Sequence, residues 1–160
     1  MSQPQGSQPS IDVEKTIREY IEQVVHMSLA TTVDDHPWVC EVHFSFDDDL
    51  HLYFRSDAAT RHCQEIARNP NVAGDIVTQH FKNQRVRGVY FEGTAERLQS
   101  VAEEDNAYKA VQRRFGNAKV FASTDPDGPG VYKVTVKNWY LFDSYGPAPV
   151  KKHQLPWKTA

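Results

Sequence analysis

Between Leu50 and Arg55 apolar and polar side chains alternate. Leu50, Leu52 and Phe54 fall on one parity and His51, Tyr53 and Arg55 on the other, the period of a half-buried strand. The stretch Trp38 to Phe46 carries the same pattern. Trp38, Cys40, Val42, Phe44 and Phe46 line one face, and Val39, Glu41, His43 and Ser45 line the other. Met27 to Val33 has strand character and ends in the polar turn Asp34-Asp35-His36-Pro37, while Asp47-Asp48-Asp49 reads as a hairpin connection into Leu50. Ahead of these strands the spacing changes. Ile17, Tyr20, Ile21, Val24 and Val25 form a stripe at helical period, so a helix is expected over Ile11 to His26, with Ser10 as its cap.

After Arg55 the polar turn Ser56-Asp57-Ala58-Ala59-Thr60-Arg61-His62 leads into a short helix. Asn69-Pro70 stops it, because the residue before a proline is driven out of the helical region. Strands are expected over Asn71 to Gln79, with Gly74 marking a bulge or close approach, and over Val86 to Leu98 beyond the loop His80 to Arg85. Ser100-Val101-Ala102-Glu103 has the form of a capping box opening a helix, with Val101, Tyr108, Val111 and Phe115 inward and Gly116 as its stop. Ala122 to Gly130 reads as loop, Val131 to Phe142 as one strand or two, and Asp143 to Ala160 has no regular period. Many strands joined by tight turns, with few helices, imply a mainly β (α+β) fold whose antiparallel sheet curls into a barrel. The short helix after Ser56 interrupts what would otherwise be a meander.

The 160 residues suit a single domain, expected over residues 10–160, after a Gln/Ser/Pro-rich tail at 1–9 that lacks an apolar anchor and reads as disordered. A net charge of −3 and a pI near 6.1 argue against a general nucleic-acid or membrane-surface binder. There is no apolar run of membrane-spanning length and no hydrophobic signal core, so the expected location is the cytoplasm. Mean hydropathy is −0.62, polar enough for such a strand-rich chain to finish its burial against a second subunit. Cys40 and Cys63 are isolated and the seven histidines are scattered, so neither a disulfide framework nor a metal site is encoded. Neither is read as having the basic setting that lowers a thiol pKa, so both cysteines read as small core residues rather than nucleophiles.

The turn Ser56 to His62 carries the clearest candidate chemistry. Hydroxyl and guanidinium groups at a helix start, where backbone N–H groups and the positive dipole end are free, suit a phosphate; the competing reading is that Asp57 or Thr60 caps the helix while Arg61 and His62 face solvent. Tyr53 and Arg55 either border a groove or are plain surface. The acidic triplet at Asp47 is better explained as solvated punctuation than as a calcium loop.

Taken in order, LATTV, PWVCEVHFSFDDDLHLYFRSDAATRHCQEIARNPNVAGDI and VRGVYFEGTAERL resemble the FMN-binding split barrels related to pyridoxamine 5′-phosphate oxidase. The likeness covers Met27 to Leu98 well and Val131 to Trp157 loosely. The TRH and NP.VAG runs, RGV.F.G and the lysine pair before Leu-Pro-Trp look most like the bacterial YhbP-like subgroup. The resemblance implies a homodimer holding two FMN molecules in grooves between subunits. It places the phosphate on Ser56, Thr60, Arg61 and His62, with Arg55 beside them, and the isoalloxazine ring along Cys40, Glu41, Val42, His43, Phe44 and Ser45. It also brings Arg87 and Gly88 to the flavin at the start of the long strand, Gly88 allowing close approach. The oxidase has basic residues where this chain has Cys40 and Ser45, so the resemblance implies an FMN-dependent oxidoreductase other than that oxidase, with NAD(P)H or a small molecule as electron donor. A non-catalytic dimer, or one loaded with haem through His43 or His62, or with F420, is the alternative. Lys151, Lys152, His153 and Trp157 either cover the partner's flavin, bind an anionic substrate, or form a loose charged tail.

Overall fold

In the computed structural model, residues 11–122, 125, 128–145 and 151–157 are described. Helix α1 (Val13–Glu22) starts at Asp12, whose side chain accepts the Lys15 N–H at 3.0 Å, and buries Ile17 and Ile21. Ser10, the expected cap, lies outside the described residues. The helix is also shorter than its apolar stripe suggests, because His26 pairs with His43 and so opens strand β1 (His26–Val33). Asp34 and Asp35, at φ 52° and 61°, turn β1 tightly into β2 (His36–His43).

The strand expected over Trp38 to Phe46 breaks at Phe44. Its N–H bonds the Val25 carbonyl at 3.1 Å, and the next two residues leave β1 to form β3 (Ser45–Phe46) against β4 (Leu52–Asp57). Helix α2 (Arg61–Arg68) follows, stopped at Asn69 before Pro70, and delivers the chain to β5 (Asn71–Ile76) on the far side of β1. Gly74 is a close approach: a Cβ there would lie 2.2 Å from the Ser28 carbonyl oxygen and 2.4 Å from the Phe91 ring. Strand β6 (Arg87–Arg97) precedes α3 (Asn106–Phe115) and the short α4 (Ala118–Phe121), and the chain ends with β7 (Pro129–Asp143) and β8 (Lys151–Pro156).

All pairings are antiparallel, in the order β2-β1-β5-β6-β7-β4-β3, with β8 also on β7. The result is a sheet curled into a half-barrel, a split-barrel fold. Strand β7 is its hub. One edge pairs with β6, and the other pairs first with β4, over residues 129–134, and then with β8, over 138–143. The core inside the curl gathers Leu29, Phe44, Phe54, Phe91, Trp139 and Leu141 under α1.

Outside the curl, α3 packs Ala107 and Ala110 over Tyr53 and Val131. Strand β4 is therefore covered on both faces, and Tyr53 is buried, donating to Asp47 Oδ2 at 2.7 Å, rather than bordering a groove or facing solvent. Three other expectations give way. The capping box is unused, because Asp105 is the N-cap of α3 and its carboxylate accepts the Ala102 N–H. Phe115 is exposed, and Ala107 and Ala110 join Val111 on the buried face. The aperiodic tail contains β8, whose order comes from the free edge of β7; Trp157 beyond it is buried in this chain's own core.

Candidate functional site

The turn between β4 and α2 is assembled by its own short side chains. Asp57 Oδ1 accepts the Ala59 N–H at 2.8 Å, and Thr60 donates its hydroxyl to the Asp57 carbonyl at 2.7 Å. Both residues expected to cap α2 are thus spent within the turn, and no side chain caps the helix. Its first-turn N–H groups remain directed at whatever lies in front of them.

His62 is 8% exposed, and its ring reaches back over the turn. The Nε2 atom lies 2.8 Å from Ser56 Oγ and 3.3 Å from Thr60 Oγ1, and the two hydroxyls are 3.3 Å apart. Three of the four expected phosphate ligands thus converge. The proton affinity of His62 is pushed up to about 10, chiefly by the thiol of Cys40 on β2 and also by that of Cys63, against the opposing effect of burial. Cys63 is the reciprocal case. Burial raises its thiol, but hydrogen bonds from His62, Thr60, Tyr132 and Ser56 outweigh that and pull it below its ordinary value. Cys63 is buried in the main core cluster, as expected of a small core residue, and the adjacent His62 imidazole is the first of the groups that lower its thiol.

Arg61 stands beside this triangle rather than within it. Half of its side chain is exposed; Nε donates to Glu65 Oε1 at 2.7 Å and the guanidinium lies 4.4 Å from the centroid of the Trp38 ring. Glu65 also accepts the Thr31 hydroxyl, and this bond first, with the Arg61 contact next, holds its carboxyl below the usual range. The Arg61–Glu65 pair at i, i+4 is legible in the sequence. The Trp38 shelf and the Thr31 bond needed β1 and β2 to be placed against α2.

Strand β2 is an exposed edge. Cys40 and Val42 are half-buried, Glu41 and His43 are exposed, and His43 pairs in register with His26, whose Nε2 is 3.9 Å from Glu41 Oε1. Phe44 and Ser45 are fully enclosed, so these two positions offer a surface ligand only backbone. Arg55 is exposed on β4.

Arg87 and Gly88 lie elsewhere. Ser56 is opposite Gly130 at one end of β7 and Arg87 opposite Asp143 at the other, thirteen residues apart or about 40 Å of strand. Within one chain they do not share a ligand. Arg87 makes two 3.2 Å bonds to the buried Asp143 carboxylate and lies 4.9 Å from the Tyr145 ring centroid, on a groove also lined by Tyr20, Thr78 and Arg85. The space beside Gly88 is taken by this chain, since a Cβ would meet Tyr90 Oη at 3.2 Å and Val77 at 3.3 Å. Lys152 caps the Tyr90 ring at 4.5 Å. Among the described residues, no three His, Cys, Asp or Glu side chains are arranged to hold a metal ion, and no helix is long and apolar enough to cross a membrane.

Residues 13–143 match the family model described as pyridoxamine 5′-phosphate oxidase. The protein YhbP of Salmonella schwarzengrund is 38% identical over 84 residues, 52% of this chain and 56% of that protein, so the match spans about half of each. Two solved structures share the fold. A heme binding protein from Mycobacterium smegmatis superposes with a TM-score of 0.72 at 20% identity, over 93% of this chain and 59% of that one. A FAD-binding protein from Mesorhizobium loti does so with a TM-score of 0.63 at 15% identity, over 80% and 90% respectively.

Proposed function

The chain belongs to the pyridoxamine 5′-phosphate oxidase family, and on that premise we propose that it is a flavoprotein binding FMN between two copies of itself. The observation that carries this reading is the convergence of Ser56, Thr60 and His62 within 3.3 Å of one another before an uncapped helix. That set fits a phosphate monoester. The Ser56 hydroxyl and the backbone amides donate to its oxygens, a protonated imidazole adds charge, and Arg61 stands at the rim. When bound, FMN would supply hydride and electron transfer, making the protein an oxidoreductase. The chain's own part is to hold the phosphate at α2, lay the ring along the exposed edge β2 and exclude water with a second subunit.

The spacing of the site supports the proposed dimer. Arg87 acts with the Ser56–His62 turn only if the two come from different chains, and β2 leaves Trp38 and Val39 exposed along an open strand edge. NAD(P)H is the proposed electron donor. A haem-loaded form is the second reading, favoured by the in-register histidines His26 and His43 on the exposed face of the β1–β2 hairpin.

The absorption spectrum of the purified protein separates the two: paired flavin bands for the first reading, a Soret band for the second. FMN is expected to bind at micromolar concentration, with its fluorescence changing on binding. Colourless protein that leaves FMN free at that concentration would sink the flavin proposal, and a solution mass near one chain would sink the shared groove.

A further inference from the structure

Away from the phosphate turn, a groove of about 530 Å³ lies between α1, the loop after β5 and the end of β7. Small-molecule pockets span roughly 300–1,000 Å³, so its size suits such a ligand. Hydrogen bonds tie its walls together. The Tyr20 hydroxyl on α1 donates to the Arg87 carbonyl at 2.9 Å and accepts the Thr78 N–H at 2.9 Å. Past the end of β7, Ser144 Oγ accepts the Val86 N–H at 2.6 Å, and the Ser144 N–H donates to the Val86 carbonyl at 2.9 Å. The groove is therefore shaped before any ligand arrives.

Its charges differ in how far they are neutralised. Arg87 is held by the Asp143 carboxylate, and Glu19 on the α1 wall has Lys15 at 3.8 Å. Arg85 makes no ion pair among the described residues; its guanidinium lies 5.8 Å from the centroid of the Tyr145 ring. The Tyr145 hydroxyl also donates to the Arg85 carbonyl at 3.5 Å, which anchors the loop. A guanidinium resting against a ring keeps its N–H fork available to an anion. His80 and Gln79 line the same groove, and neither side chain has a hydrogen-bond partner among the described residues. Tyr145 is 54% exposed.

We propose that this groove binds the adenosine 2′-phosphate end of NADPH, so that NADPH rather than NADH is the hydride donor. Arg85 takes the 2′-phosphate, with the His80 imidazole beside it. The purine lies against the exposed part of Tyr145, and the Gln79 amide, able both to donate and to accept, matches the adenine edge. Arg87 is already neutralised and shapes the groove. NADH lacks the 2′-phosphate and leaves Arg85 without an anion. The role as hydride donor rests on the flavin reading, in which Arg87 meets the flavin through a second copy and puts this groove beside the ring. The binding itself needs no flavin.

Calorimetry on the full chain compares adenosine 2′,5′-bisphosphate with 5′-AMP, which lacks the 2′-phosphate. Excess FMN is present so that the Ser56–His62 turn does not compete for the probe. The bisphosphate is expected to bind about tenfold more tightly. Arg85→Ala should abolish that preference while leaving AMP binding, FMN titration and the melting temperature unchanged. Arg85→Lys, which keeps the charge without the fork, should retain part of it. Equal affinity for the two nucleotides, or a preference that survives Arg85→Ala, would overturn the proposal. A preference lost in His62→Ala instead would assign the anion to the phosphate turn and overturn it equally. Each of these results leaves the flavin reading intact if FMN still titrates, and failure of FMN to bind removes that reading without altering the nucleotide comparison.

Discussion

The two ends of β7 carry polar groups of opposite organisation. At the Pro129 end, the Ser56–His62 turn turns its hydroxyls and imidazole on one another, with its amides uncommitted at the start of α2. At the Asp143 end, Arg87 is already satisfied by a buried carboxylate and lies against Tyr145. The first is a cluster of donors lacking an anion, while the second contains its anion. An arginine neutralised by its own chain positions or shapes a site, whereas an unneutralised turn binds one. Under the proposed function, the Ser56–His62 turn holds the phosphate within a single chain, and Arg87 meets the flavin only through a second copy.

Breaking the phosphate end should have the largest effect. His62→Ala removes the charged ligand and leaves Ser56 and Thr60 without their partner, costing about 2–3 kcal/mol, or roughly 30- to 150-fold in FMN affinity. Equilibrium titration of FMN fluorescence reads this directly, and unchanged affinity would remove His62 from the site. The same variant sharpens the contrast when mixed with Arg87→Ala subunits. If each groove takes one end from each chain, the heterodimer pairs one intact groove with one doubly damaged groove, so mixing restores FMN binding that neither variant shows alone. No recovery means that the two ends do not cooperate.

Arg61→Ala should cost less, about 1.5 kcal/mol or roughly tenfold, because the guanidinium is half exposed and already shared with Glu65. The flavin content of the purified variant checks it. Trp38→Ala withdraws the aromatic shelf under Arg61, worth about 0.5–1 kcal/mol, so FMN affinity should fall only a few-fold. A drop as large as that of His62→Ala would mean that Trp38 touches the flavin itself.

The smallest effect is on stability against pH. His62 binds its proton more tightly in the folded chain, so its contribution is complete below pH 6.5 and is lost as pH rises through about 10. Cys63 has the opposite sign: its contribution is complete above its ordinary value of 9.0 and is lost as pH falls through its lowered value. Between the lowered value of Cys63 and 9.0 the two trends oppose each other. Thermal melts should decline from pH 9 to 10.5 more steeply for the unaltered chain than for His62→Gln; parallel curves would show that the imidazole is not held protonated.

Much of the fold was legible as local pattern. The strands at Met27, Asn71, Val86 and Val131, the stop at Asn69-Pro70 and the αL stop at Gly116 each depend on neighbouring residues, through side-chain alternation, proline sterics or a left-handed cap. The turn at Ser56 was legible for the same reason, because its hydroxyls and the helix start lie within seven residues. Periodicity failed where burial came from distant chain. Tyr53 has the parity of an outward residue yet is buried, since α3 returns to cover that face. The tail becomes β8 because β7 extends past β4 and leaves an edge to fill. Ser100 to Glu103 has the form of a cap but loses to Asp105, whose carboxylate closes the turn at Ala102.

Sequence by itself determined the element types, the mainly antiparallel sheet and the polar make-up of the Ser56–His62 turn, all properties of short-range spacing. Only the tertiary structure decided the chemical state of that turn. Cys40 comes from β2 and raises the His62 imidazole, while Tyr132 from β7 joins His62 and Thr60 in lowering the Cys63 thiol, each arriving from far along the chain. Local spacing chooses which groups are present at a site. Their charges depend on what folding brings within a few ångströms, because desolvation and Coulomb attraction act over that distance in space, whatever the separation in sequence.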